Sequence, residues 1–141
     1  MNELEGNVNV SRTHEYKRID PITVFKLAWY AVASKPGVLL ANHSEAESRS
    51  FKGEAMFTAQ IDQKPIKTKV DVDEEQGSVK ITGWGEDKAA LGTYLDNTMD
   101  ALKKSSDKYL SLADEEKQKL RRALIAKTCW DRVIHKILNK A

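Results

Sequence analysis

Cys129 and the three histidines, His14, His43 and His135, have the chemistry to ligate a metal or relay a proton. Their spacing does not bring them together. The histidines stand far apart in the chain, and Cys129 precedes His135 by six positions, which on a helix turns the two side chains to different sides. A second group, Asp71, Asp73, Glu74 and Glu75, gathers around a hairpin turn, but it lacks the regular spacing of a calcium loop. It reads as a solvated turn, and no metal or other cofactor is expected.

Gly83-Trp84-Gly85-Glu86-Asp87-Lys88 joins a strand to a helix, where backbone amides often hold phosphate. The residue types argue against that use. Lys88 stands where a dinucleotide loop needs its third glycine, the Gly-Lys-Ser/Thr of a nucleotide loop is missing, and Glu86 and Asp87 would repel an anion. Trp84 is different. The alternation through Val79, Ile81 and Gly83 turns its indole away from the buried face of the sheet, toward a partner or a covering helix.

The elements that carry these residues follow from periodicity and punctuation. Phe51, Gly53, Ala55, Phe57, Ala59 and Ile61 alternate with Lys52, Glu54, Met56, Thr58 and Gln60, the period of a strand with one buried side. After the turn at Asp62-Gln63-Lys64-Pro65, Ile66, Thr68, Val70 and Val72 repeat the pattern. Glu74-Glu75-Gln76-Gly77 then reverses the chain into Val79 and Ile81. The meander has three strands, or four if Val38-Leu39-Leu40 joins it.

Helices flank this sheet. Asp20-Pro21 predicts a helix start, because the aspartate accepts free amide hydrogens and proline at the first position loses none. That helix runs to about Ser34 and stops at Lys35-Pro36-Gly37. Lys26 is almost its only charged interior position, so it must be covered on several sides, by the sheet and by either the C-terminal helix or a second subunit. A second helix, capped by Asp87 and carrying Leu91, Tyr94, Leu95, Thr98, Met99 and Leu102 on one side, is expected to roof the sheet. A polar break at 103–108 precedes a last helix over about 112–138. Its apolar side carries Leu120, Leu124, Trp130, Ile134 and Ile137, and its basic side Lys117, Arg121, Arg122, Arg132, His135, Lys136 and Lys140.

The fold class is therefore α+β: a helix, an antiparallel meander of three to four strands, a helix packed on the sheet, and a C-terminal basic amphipathic helix. Residues 1–19, with weak alternation at Val8 and Val10, read as a flexible arm with or without a short strand at its end, 20–104 as the sheet-and-helix core and 105–141 as a helical segment packed on it. Composition fits a folded chain, with 40% hydrophobic and 31% charged residues. One cysteine allows no internal disulfide, and neither a secretion signal nor an apolar run long enough to span a bilayer is visible, so the cytoplasm is the expected address. The net charge of +2 is uneven. Residues 51–110 carry nine Lys/Arg against eleven Asp/Glu, and residues 111–141 carry eight against four.

Lacking a catalytic constellation, the chain reads as a non-enzymatic binding or protein-interaction module, acting alone or as a homodimer. Its candidate contacts are Trp84 and the C-terminal residues Arg121, Arg122, Arg132, His135 and Lys136. Two alternatives stand beside this. One is non-specific nucleic-acid binding by the basic side of the last helix, through counterion release. The other is a small-ligand pocket between sheet and helix.

Overall fold

A computed structural model of the chain describes residues 8–35, 37–61, 63–126, 137 and 138. Its elements run β1 (Val8–Glu15), α1 (Pro21–Ala33), β2 (Leu39–Glu47), β3 (Phe51–Ile61), β4 (Lys64–Asp73), β5 (Ser78–Gly85), α2 (Lys88–Ser111) and α3 (Asp114–Ala126). The protein is α+β. The strands form one antiparallel sheet in the order β1-β5-β4-β3-β2, so the first strand returns to pair with the last.

The alternation of β3 and β4 has its expected result. Phe51, Ala55 and Phe57 on β3, Ile66, Thr68, Val70 and Val72 on β4, and Val79 and Ile81 on β5 are buried on one side. The helices cover that side. α1 lies over β3 and β4, α2 lies over β1 and β5, the two touch each other, and α3 rests against α1. With the sheet below and both other helices beside it, α1 buries every residue from Thr23 to Val32 within its own chain. Leu120, Ala123 and Leu124 of α3 complete this cover, and Ile137 is buried in the same core.

Three boundaries depart from the sequence expectation. Residues 8–15, assigned to an arm, form β1, because Val8 and Val10 occupy inward positions and the main chain pairs with β5. Arg12 and His14 occupy the next inward positions, and this hid the strand's period. The optional fourth strand begun by Leu39 and Leu40 is present as the edge strand β2 and runs on through residues 42–47. The polar stretch 103–108 does not break α2, which is a single helix of 24 residues. Ser106 and Tyr109 continue its buried side, while the lysines line the outside. The boundary drawn at 104 therefore falls inside α2.

The caps are as the sequence indicates. Asp20 accepts from the Thr23 amide at 3.0 Å, and Asp87 accepts from the amides of Ala89 and Ala90. Gly83 lets the first turn of α2 approach the sheet closely. A Cβ added there would lie 2.7 Å from Leu91 Cδ1. Gly83→Ala is therefore expected to cost about 2 kcal/mol through overpacking, measured as a lower urea midpoint. An unchanged midpoint would mean that Leu91 has room to move.

Candidate functional site

The described helices sit on one side of the sheet, and among the described residues no helix lies over the other, the open face. Because directly opposed residues share a face, the strand register sorts this open face into four rows. The first row is Asn9, Trp84, Lys67, Thr58 and Leu39. Next come Ser11, Thr82, Lys69, Met56 and Asn42. The third row is Thr13, Lys80, Asp71, Glu54 and Ser44, and the fourth is Glu15, Ser78, Asp73, Lys52 and Ala46.

Charge is polarised along the strands. The first two rows hold two lysines and no acid, a formal charge of +2. The last two hold two lysines and four acids, a formal charge of −2. Lys69 links the halves, reaching Glu54 at 3.5 Å and Asp71 at 3.6 Å. Burial raises the Asp71 carboxyl above its ordinary value, while the nearby Lys69 pulls it back down. The acidic half is also concave. A depression of about 380 Å³ is lined there by Ser44, Glu54, Asp71, Asp73, Ser78 and Lys80, among others.

Trp84 is half-buried in the acid-free half, on the open face as its alternation indicated. No described helix lies over it. At the end of its row the edge strand β2 exposes Leu39 to 69%, and Leu40 beside it to 43%.

On the covered side, two polar groups are built into the helix layer. A register shift between Leu40 and Asn42 is a β-bulge that turns His43 and Glu45, rather than Asn42 and Ser44, toward α1. There Lys26, 3% exposed, donates to Glu45 Oε2 at 3.3 Å, and His43 Nε2 lies 3.3 Å from the same oxygen. The Lys26 ammonium is 4.5 Å from the Trp29 ring centre, and that ring meets His43 edge-on. The sequence had marked Lys26 as an odd charge in an apolar helix. Its partners could not be found, since a bulge leaves no trace in hydrophobic periodicity.

The second group lies where α1 ends. The Lys35 amine donates to Thr98 Oγ1 and stands 3.9 Å from the Tyr94 ring centre. Thr98 in turn donates to the Tyr94 carbonyl at 2.8 Å, and Thr68 donates to the Tyr94 hydroxyl at 3.4 Å. Burial lowers the Lys35 amine to about 8 and raises the Tyr94 phenol.

The remaining sequence candidates are not brought to one site. Arg121 donates to Thr23 Oγ1 at 3.1 Å and lies 3.5 Å from Asp20, so it fastens α3 to the start of α1. Arg122 is exposed on α3. Cys129, Trp130, Arg132, His135 and Lys136 lie outside the described residues. His14, near Lys103 and Asp107 of α2, and His43, at the α1–β2 junction, belong to different parts of the covered side. Among the described residues, no three of His, Cys, Asp and Glu gather to hold a metal, and no helix is long and apolar enough to cross a membrane. No protein family, curated protein or solved structure matches this chain.

Proposed function

We propose that the protein is a non-enzymatic protein-interaction module that docks through the face of its sheet that no described helix covers, with a second copy of the chain as its partner. The observation that carries this reading is the division of that face into an acid-free half bearing Trp84 and a concave acidic half. A two-fold axis along the rows would lay the first row of one copy on the fourth row of the other. Each positive half then meets a negative half, which is the self-complementarity an isologous dimer requires. β4 would cross β4, bringing Lys67 to the second copy's Asp73 and Lys69 to the second copy's Asp71. Trp84 would meet the depression beside the second copy's Ser78.

The dimensions support such a contact. Five strands about 4.8 Å apart, with rows about 6.8 Å apart, cover about 650 Å² on each copy. The pair would bury about 1,300 Å², within the range of stable interfaces. A second ammonium opposite Asp71 would also offset the desolvation that raises its carboxyl.

The alternatives have less support. For nucleic-acid binding by α3, Arg121 is already occupied by Asp20 and Thr23. For a ligand chamber under the helices, the space is filled by Phe25, Leu27, Phe57, Ile81, Leu91 and Leu95.

Sedimentation of the full chain over a range of concentrations tests the reading. The native chain should be a dimer, and Trp84→Ala should weaken it about 30-fold, as expected for an aromatic anchor seated in a depression of the partner. Lys67→Glu should weaken it about tenfold, and adding Asp73→Lys to the same chain should restore it by exchanging the two charges. A monomer at every concentration, or a dimer indifferent to all three changes, would overturn the proposal.

A further inference from the structure

The sheet ends at β2. β3 pairs with one side of that strand, and among the described residues no strand pairs with the other. Every residue from Leu39 to Glu47 is exposed. Past the bulge, residues 42–47 pair with β3 in unbroken register, so alternate residues turn about three N–H and three C=O groups outward. The run Asn42-His43-Ser44-Glu45-Ala46-Glu47 holds no Lys, Arg or Pro, residue types that commonly turn another strand away from an edge, and the bulge interrupts the edge only at its Leu40 end.

The two ends of this edge differ in chemistry. At one end stand Leu39 and Leu40, the exposed large apolar residues of the described chain. They belong to opposite faces. Leu40 lies opposite the buried Phe57, and Leu39 borders a hollow of about 430 Å³ lined also by Thr58, Ala59, Gln60 and Pro65. At the other end Glu45 and Glu47 share the covered side. Lys26 already engages Glu45, whereas Glu47 has no ion-pair partner among the described residues. A second copy of β2 suits this edge badly. Antiparallel self-pairing centred on Ser44 sets Glu47 of one copy against the Leu40 end of the other, and centring on Glu45 opposes two like carboxylates.

We infer that the outer edge of β2 receives an extended peptide, antiparallel to it, with basic residues toward the peptide's N-terminus and large apolar residues at its C-terminus. Main-chain hydrogen bonds supply the affinity, and the two unlike ends supply direction and sequence preference. Opposite Glu47 and Glu45 the peptide carries cationic side chains. Opposite Leu40 it carries an aliphatic one, and opposite Leu39 an aromatic ring that lies over the hollow. The direction continues the pattern of the sheet, in which every neighbouring pair is antiparallel. Because it uses main chain at the rim of the sheet, this docking does not depend on the self-association proposed for the open face.

The probe is acetyl-Arg-Thr-Arg-Thr-Val-Thr-Leu-Phe-amide, titrated into the full chain by calorimetry. Two N-methylated versions ask whether the main chain is read. Methylating alternate residues in one register removes the amides that face β2 and should weaken binding at least about tenfold, whereas in the other register, where the amides face water, the change should stay below about threefold. Replacing both arginines by glutamate should weaken binding about tenfold, and Glu47→Lys should recover part of that loss. Deuterium exchange should slow at alternate amides of residues 42–47 when the peptide binds. Equal losses from the two methylated registers, protection appearing on β4 or β5 in place of β2, or no binding at millimolar peptide would overturn the inference.

Discussion

Phe25→Ala is expected to lower the unfolding free energy by about 4 kcal/mol, the upper part of the range for removing a buried aromatic ring. Phe25 is fully buried on α1, with ring centres of Trp29 and Phe51 each 5.8 Å away. What sets the size of the loss is the absence of anything able to refill the space. The ring lies so near the backbone of Gly53 that a Cβ there would fall 2.9 Å from Phe25 Cδ2, and glycine has no side chain to advance. Trp29 is held from its other side by Phe57 and His43. The cavity should therefore stay open. A loss of this size is a large part of a typical domain's 5–15 kcal/mol and should lower the melting temperature by about 12 °C. Urea unfolding of both proteins checks it, and a loss below about 1.5 kcal/mol would mean that the α1 layer collapses onto the sheet more readily than close packing implies.

Much of this layer was legible in the residues. The alternations from Phe51 and from Ile66 identify the inward faces of β3 and β4 without help from the structure, because one buried side imposes a strict period. Asp20-Pro21 and Asp87 mark helix starts for a purely local reason, the satisfaction of free amides. The open-face position of Trp84 followed from counting by twos from Val79. What stayed hidden depends on partners distant in sequence. β1 is a strand because β5 lies beside it, and its inward Arg12 finds Asp96 of α2 at 2.7 Å, a pairing no local pattern announces.

The candidate site divides in the same way. The residue types on the open face were visible, but their sorting into oppositely charged halves needed the register across all five strands. Lys35 looked like a helix stop beside Pro36 and Gly37. Only the approach of Tyr94 and Thr98 on α2 makes it chemically distinct. The basic side of the last helix, prominent in sequence, loses Arg121 to the α1 cap as soon as α3 is packed.

Glu45→Leu should cost about 3 kcal/mol, whereas the double change Lys26→Met with Glu45→Leu should recover most of that loss. The asymmetry arises from burial. Lys26 is 3% exposed, so its ammonium has little access to water and depends strongly on the carboxylate that accepts from it. Removing that acceptor takes the carboxylate from a buried ammonium, and the cation–π contacts with Trp29 and Phe25 offset only part of the loss. Glu45 is in the opposite position. Its side chain is 32% exposed and lies beside His43, so Lys26→Met alone leaves the carboxylate solvated and should cost less than about 1 kcal/mol. With both charges gone, methionine and leucine can pack against Trp29 as an apolar pair, an exchange that is often neutral or favourable for buried ion pairs. Four proteins in one urea series measure the cycle. A Glu45→Leu chain as stable as the double variant would mean that Lys26 does not rely on Glu45, and the bulge that turns Glu45 inward would then lack the energetic role assigned to it.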